Sequence, residues 1–201
     1  MKRIWTAVVG LFGWHFDIPS PGERPELNHC VIIEAPHTSI YDYLVGAACV
    51  WKLQLNARFF IKKEFFVFPL RRFLRRYGAV PIDRGNRNNN IVDKAVDEFN
   101  RQENITFIIT PEGTRKKVSR FKRGFYDIAV RAKVPIVLSY INYSTHHMGI
   151  GPTVYPSGNF NEDMLQIAEF YTDAQPRNKE GWSIDLIKQT YKAKTTETKD
   201  K

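Results

Sequence analysis

A chain of 201 residues with 43 % hydrophobic and 13 % aromatic content can bury a real core and fits one domain of ordinary size. Its formal charge of +9 and pI near 9.6 point to an anionic partner, whether nucleic acid, lipid headgroups or a phosphorylated substrate, and charge alone does not choose among them. The two cysteines, Cys30 and Cys49, both lie in apolar runs and read as reduced core residues in a reducing compartment rather than as a disulfide.

Lys2-Arg3 precede an apolar run, Ile4 to Trp14, that has no small-x-small cleavage site after it and is shorter than the roughly 20 residues a bilayer crossing needs. It fits two arrangements: an interfacial helix with Trp5 and Trp14 at the membrane boundary, or a helix packed on the domain's own core. We assign residues 1–18 to this N-terminal helix, 19–194 to the main domain and 195–201 to a frayed tail. Pro19 to Pro25 is a turn-rich linker, and Cys30 to Ala35 reads as a buried strand bounded by Pro36. A helix then opens: Ser39 with Asp42 three residues later has the form of a capping box, followed by a mostly apolar run from Tyr41 to Lys52.

The remaining elements alternate. Arg58 to Ile61 reads as a strand, Pro69 to Tyr77 as a short basic helix, and Ala79 to Ile82 as a strand that Pro81 confines to an edge or an end. Asn90 to Gln102 has an amphipathic helical pattern, Ile105 to Ile109 is the clearest buried strand, Phe121 to Lys133 reads as helix and Val134 to Ile141 as strand. A strand at Thr153 to Tyr155 and helices at Asn161 to Tyr171 and Ser183 to Lys192 complete the reading, without repeats or long low-complexity stretches. Strands alternating with helices predict a single α/β domain with a largely parallel central sheet flanked by helices.

In open α/β sheets, ligands collect at the loops that follow the strands, and the chemistry-bearing residues fall there. His37 sits at a strand-to-helix turn, with Asp42 five residues on in the first helical turn. A carboxylate within reach of the ring can fix its tautomer and stabilise the imidazolium formed when the histidine takes a proton, while the positive end of the helix dipole favours the neutral, basic form at rest. The same spacing also fits a plain helix-capping carboxylate beside a loop histidine. Arg84, after the Ala79 to Ile82 strand, could present its guanidinium to a phosphate or be an ordinary surface arginine. Pro111-Glu112-Gly113-Thr114-Arg115 follows the Ile105 to Ile109 strand: Gly113 permits a tight turn, Arg115 offers a second anion contact, and a local Glu112 to Arg115 ion pair is the alternative.

Taken together, His37-Thr38-Ser39-Ile40-Tyr41-Asp42, Gly78 through Arg84, Pro111 through Arg115 and Val134-Pro135-Ile136-Val137 resemble the four ordered motifs of the glycerolipid acyltransferases, which include lysophosphatidic acid acyltransferase. Phe121-Lys122-Arg123-Gly124 is similar to the Phe-Lys-x-Gly that commonly follows the third motif, whereas Leu138 replaces a further proline common after the fourth. Arg71-Arg72 likewise replace a glycine often found soon after the position of Pro69. The resemblance implies a fold like that of the glycerol-3-phosphate acyltransferases. It also implies transfer of a fatty acyl group from an acyl-CoA or acyl-carrier-protein thioester to a hydroxyl of a lysophosphatidic acid-like or glycerol phosphate-like acceptor. By the same resemblance His37 is the general base and Asp42 its partner, and Arg84, Glu112, Gly113, Thr114, Arg115 and Lys122 form the substrate-binding set.

No nucleophile elbow is present, so direct transfer is expected rather than an acyl-enzyme. No metal or other cofactor is expected: there is no His-Glu-x-x-His, and His146-His147 are adjacent and do not share a helix face. The expected setting is cytoplasmic and peripheral, on an anionic inner-membrane surface, without nucleic acid. Two competing readings stay open. One keeps the acyl donor but changes the acceptor, to a different lipid or, in a thioesterase, to water. The other makes it a non-catalytic binder of anionic membrane or nucleic acid through Arg71, Arg72, Arg75 and Arg76.

Overall fold

The computed structural model describes residues 9–83 and 91–199, with side chains described as far as Thr195. The strand expected at Cys30 to Ala35 is β2 (His29–Ala35), and its side chains alternate between two separate cores. Val31, Ile33 and Ala35 enter one apolar cluster; Cys30 and Ile32 enter the other. A strand buried on both faces must be covered by helices on both sides, which is why its sequence is continuously apolar rather than alternating with polar residues. The strand β6 (Ile136–Asn142) repeats the device, sending Ile136 and Leu138 to the first cluster and Val137 and Ile141 to the second.

Around this pair the described residues build a seven-stranded sheet. The other members are β1 (His15–Asp17), β3 (Ala57–Lys62), β4 (Ala79–Ile82), β5 (Ile105–Ile109) and β7 (His147–Val154). The order across the sheet is β1-β7-β6-β2-β5-β3-β4. From β6 to β4 all neighbours are parallel; β7 turns back antiparallel to β6, and β1 runs parallel to β7 at the edge. One helix, α1 (Ile40–Leu53), covers the second cluster with Val45, Ala48, Cys49 and Leu53. The first cluster lies under α3 (Ile91–Arg101), α4 (Gly124–Ala132), α5 (Phe160–Phe170) and α6 (Ile184–Lys199). A short helix, α2 (Leu70–Arg76), connects β3 to β4. Its cap, Tyr77, is followed by Gly78, where a φ of +87° and the Ala57 carbonyl oxygen, 2.0 Å from where a Cβ would stand, leave no room for a side chain.

The ends of the chain depart from expectation. Residues 9–11 are helical, but His15–Asp17 is a strand, so helix does not extend to residue 18. Val9 is buried in the second cluster while Leu11 and Phe12 point outward; the expected interfacial segment from Ile4 falls for the most part outside the described residues. β7 begins at His147, well before the expected Thr153, and Gly149, Gly151 and Pro152 hid it, since these residues are depleted from strands. Gly149 has a packing reason: a Cβ there would meet the Tyr140 ring at 2.7 Å. At the other end α6 runs to Lys199, past the expected fraying point, and Thr190 and Thr195 fit the helix by returning their hydroxyls to the Leu186 and Tyr191 carbonyls. Among the described residues no helix is long and apolar enough to cross a membrane. Cys30 and Cys49 are buried, and burial pushes both thiols up, Cys30 to about 12.

Candidate active site

Because β2, β3, β4, β5 and β6 run parallel, the segments following them emerge at one end of the sheet. His37 follows β2, Pro111 to Arg115 follow β5 and Tyr143 follows β6. Topology thus brings the His37 and Pro111 to Arg115 loops together, whereas Val134 to Val137, at the start of β6 beside Val31, lies at the opposite end of the sheet.

The turn around His37 is tied down from several directions. Asp42 Oδ2 accepts from the backbone N–H groups of Thr38 and Ser39, both at 2.8 Å, and Ser39 Oγ accepts from Tyr41 N at 3.3 Å, so the helix is capped as expected. The same Oδ2 lies 3.3 Å from His37 Nδ1. This is an ion-pair distance but not a well-aligned hydrogen bond: Nδ1 is buried without a hydrogen-bond partner, and Oδ2 already serves two amides. Asp42 thus caps the helix and faces His37 with the same oxygen, so the capping arrangement and the His37 pairing are compatible in one carboxylate. Nδ1 faces the interior, and Nε2 makes no hydrogen bond to a described residue while the side chain is 20 % exposed, so Nε2 is the nitrogen a substrate can reach.

Glu112 is 1 % exposed, and its Oε1 accepts from the His37 backbone N–H at 2.8 Å. Its carboxylate is turned into the protein, where it fixes the His37 turn; the alternative ion pair with Arg115 does not form. Gly113 has φ +63°, and a Cβ there would touch the Lys122 stem at 3.0 Å, so the turn and the lysine pack together. Lys122 donates its backbone N–H to Pro111 O at 2.8 Å and Thr114 Oγ1 accepts from Lys116 N at 3.3 Å, while Arg115 and the Lys122 side chain are exposed beside this turn. Arg84 lies outside the described residues.

Several contributors carry no signal in the sequence. Tyr143 donates its hydroxyl to Asp42 Oδ1 at 2.7 Å, giving the fully buried carboxylate a further donor. Arg177 lays its guanidinium 4.0 Å from the Tyr41 ring centroid and 5.8 Å from that of Tyr143. Asn178 clamps the motif loop through Thr38, donating Nδ2 to its carbonyl at 2.7 Å and its backbone N–H to Oγ1 at 3.2 Å. Glu34, 6 % exposed at the end of β2, seats its carboxylate against Gly46. Only the charge at a strand end could have marked Glu34; the others are brought in by tertiary contact.

Buried charge sets the electrostatics. Burial pushes Glu34 up to about 8 and Glu112 up to about 7. For His37, burial pulls the pKa down, but Asp42, with Glu34 and Glu112 behind it, outweighs burial and the net direction is upward. The site therefore holds a histidine made more basic than usual by a surrounding shell of carboxyls, with one ring nitrogen accessible.

The arrangement is that of an α/β protein with a largely parallel sheet that presents a histidine and a paired carboxylate at its carboxyl end, beside a glycine turn with exposed cations. The profile of the acyltransferase family matches residues 18–141, more than half the chain, and the chain belongs to that family. Its curated relatives include the 1-acyl-sn-glycerol-3-phosphate acyltransferase of Cocos nucifera, 32 % identical over 108 residues covering 50 % of this chain and 33 % of the relative. The enzyme of the same name from Limnanthes douglasii is 26 % identical over 187 residues, 90 % of this chain and 62 % of the relative. The chain thus spans between a third and just under two thirds of the length of these relatives. Among solved structures, the 1-acyl-sn-glycerophosphate (LPA) acyltransferase PlsC from Thermotoga maritima superposes with a TM-score of 0.57 at 17 % identity, covering all of this chain and 78 % of that one, and so shares the fold.

Proposed function

We propose that this protein transfers a fatty acyl group from a thioester donor, acyl-CoA or acyl-carrier protein, to a free hydroxyl of lysophosphatidic acid or a closely related glycerol phosphate. The observation that carries the reading is the accessible Nε2 of His37 backed by the buried Asp42. The acceptor hydroxyl gives its proton to Nε2 as its oxygen attacks the thioester carbonyl; the tetrahedral intermediate collapses, the C–S bond breaks, and His37 returns the proton to the departing thiolate. The imidazolium formed in between is stabilised by Asp42. General-base help contributes about 10²- to 10⁴-fold, whereas aligning two substrates can remove roughly 7 to 11 kcal/mol from the barrier, so positioning matters more than the base. Arg115, Lys122 and Arg84 would supply it by gripping the acceptor phosphate, a bidentate guanidinium fixing angle as well as charge.

The experiment follows thiol release from acyl-CoA with lysophosphatidic acid, with monoacylglycerol and with no acceptor. His37→Ala should abolish turnover and Asp42→Asn lower it severely, both variants folding normally. Arg115→Ala should cost on the order of 10- to 100-fold in kcat/KM with the phosphorylated acceptor only, as expected for losing a charge-assisted hydrogen bond. A folded His37→Ala protein near wild-type turnover rejects the assignment, and acceptor-independent thiol release makes the protein a thioesterase. With a raised His37 pKa, the basic form is lost below a pH higher than for a free imidazole, so kcat/KM should fall on the acid side from above pH 6.5.

A further inference from the structure

The segment after β3 leaves the sheet at the same end as His37, yet nothing in the acyl-transfer chemistry uses it. Within it Phe65 is 55 % exposed, Val67 59 %, Phe68 81 %, Leu70 40 % and Phe73 54 %. Isolated exposed apolar residues are ordinary on a protein surface, but a consecutive run of large ones is not. Immediately along the chain, α2 presents Arg71, Arg72, Arg75 and Arg76, all exposed, while Leu74 is buried and holds the helix to the domain. A second apolar exposure stands at the start of α1, beside His37, where Ile40 is 58 % and Tyr41 48 % exposed. The neighbouring Tyr43 ring meets Phe59 of β3 edge-on at 5.4 Å, which ties α1 to the strand that launches the apolar segment.

We infer that residues 65–76 form a docking surface for an anionic lipid bilayer, Phe65, Val67 and Phe68 entering the interfacial region and the α2 arginines meeting headgroup phosphates. Phe68, 81 % exposed, is the most exposed of these apolar side chains, and the exposed α2 arginines follow it directly along the chain; uncovered apolar side chains next to concentrated positive charge suit a fluid anionic interface. A folded protein partner would instead have to offer a matching pocket. Docked this way, the carboxyl end of the sheet faces the lipid, so a membrane-resident acceptor arrives at His37 without leaving the bilayer; this benefit rests on the function proposed above, but the docking does not.

The test is cosedimentation of the full chain with vesicles of phosphatidylcholine alone and of phosphatidylcholine mixed with phosphatidylglycerol, which needs no turnover. The wild type should partition onto the anionic vesicles. The double variant Phe65→Ser/Phe68→Ser should weaken partition by about 10- to 100-fold, and Arg72→Glu/Arg75→Glu should weaken it only on anionic vesicles, by about fivefold or more per arginine. Hydrolysis or transfer with a soluble short-chain thioester should stay at the wild-type rate in both, so loss of docking and loss of the catalytic reading are separable. Independently, Phe68→Trp should add fluorescence that brominated lipids quench. Wild-type partition by the folded Ser double variant, or unquenched new fluorescence on vesicle-bound protein, overturns the inference. So does a wild type that ignores both vesicles but binds an acidic acyl-carrier protein through these residues.

Discussion

Asp42 is the most heavily engaged carboxylate of the site: it caps α1, faces His37 and accepts the Tyr143 hydroxyl. Because it is fully buried, each donor matters. Tyr143→Phe keeps the ring and its packing but leaves Oδ1 without that donor. The expected cost is about 1 to 3 kcal/mol of stability, which at about 2 to 4 °C per kcal/mol for a chain of this size is readable by thermal denaturation. Under the proposed function turnover should fall with it while KM for the thioester changes little, since the hydroxyl would act on substrate only through Asp42 and His37. Unchanged melting and unchanged kcat would show that Oδ1 is satisfied otherwise.

The helix α1 carries a second constraint, at Gly46. Glycine inside a helix normally costs about 1 kcal/mol relative to alanine, so Gly46→Ala should be stabilising on helix propensity alone. Here a Cβ would stand 2.6 Å from Glu34 Oε2, and the buried carboxylate has to move. Overpacking of this kind costs about 1 to 3 kcal/mol, so the expected sign is reversed and Gly46→Ala should melt lower than wild type. Truncating the obstacle, in Gly46→Ala/Glu34→Ala, should recover part of the loss relative to the sum of the single substitutions, a non-additivity that a double-mutant cycle measures. The position of α1 against β2 is thus set by a carboxylate fitting over a glycine.

The carboxyls around His37 also bear on the stability of the entire fold. Glu34 at about 8 and Glu112 at about 7 both stand above their ordinary 4.5, and His37 is shifted in the same direction. The folded chain therefore binds these protons more tightly than the unfolded chain does. The stabilisation is fully present below the ordinary values and is lost as pH rises through about 7 to 8. The melting temperature should drop by several degrees between about pH 6 and about pH 9, and Glu34→Gln, which cannot ionise, should flatten that slope. A slope unchanged by Glu34→Gln would place the alkaline loss elsewhere.

Apolar runs, capping residues and the order of strands and helices were local properties, so the α/β architecture, the parallel core, the capped helix at Ser39 and the His37 to Asp42 spacing were all legible in the sequence. The strand at His147 was hidden because its glycines and proline read as breakers, and the need for them arises only when Tyr140 packs across the pair. Glu112 looked like a ligand contact, but its burial under the His37 turn depends on the register of β2 against β5, which pairs Ile33 with Ile109 and brings the two following loops together. Tyr143, Arg177 and Asn178 lie more than a hundred residues from the turn they serve, and no local pattern marks them. The sequence by itself determined which groups could do the chemistry, because type and local spacing are written in it. Tertiary structure alone decided which nitrogen of His37 is open, which carboxylates are buried and therefore shifted, and which apolar residues remain uncovered, because burial and long-range contact exist only once distant strands have paired.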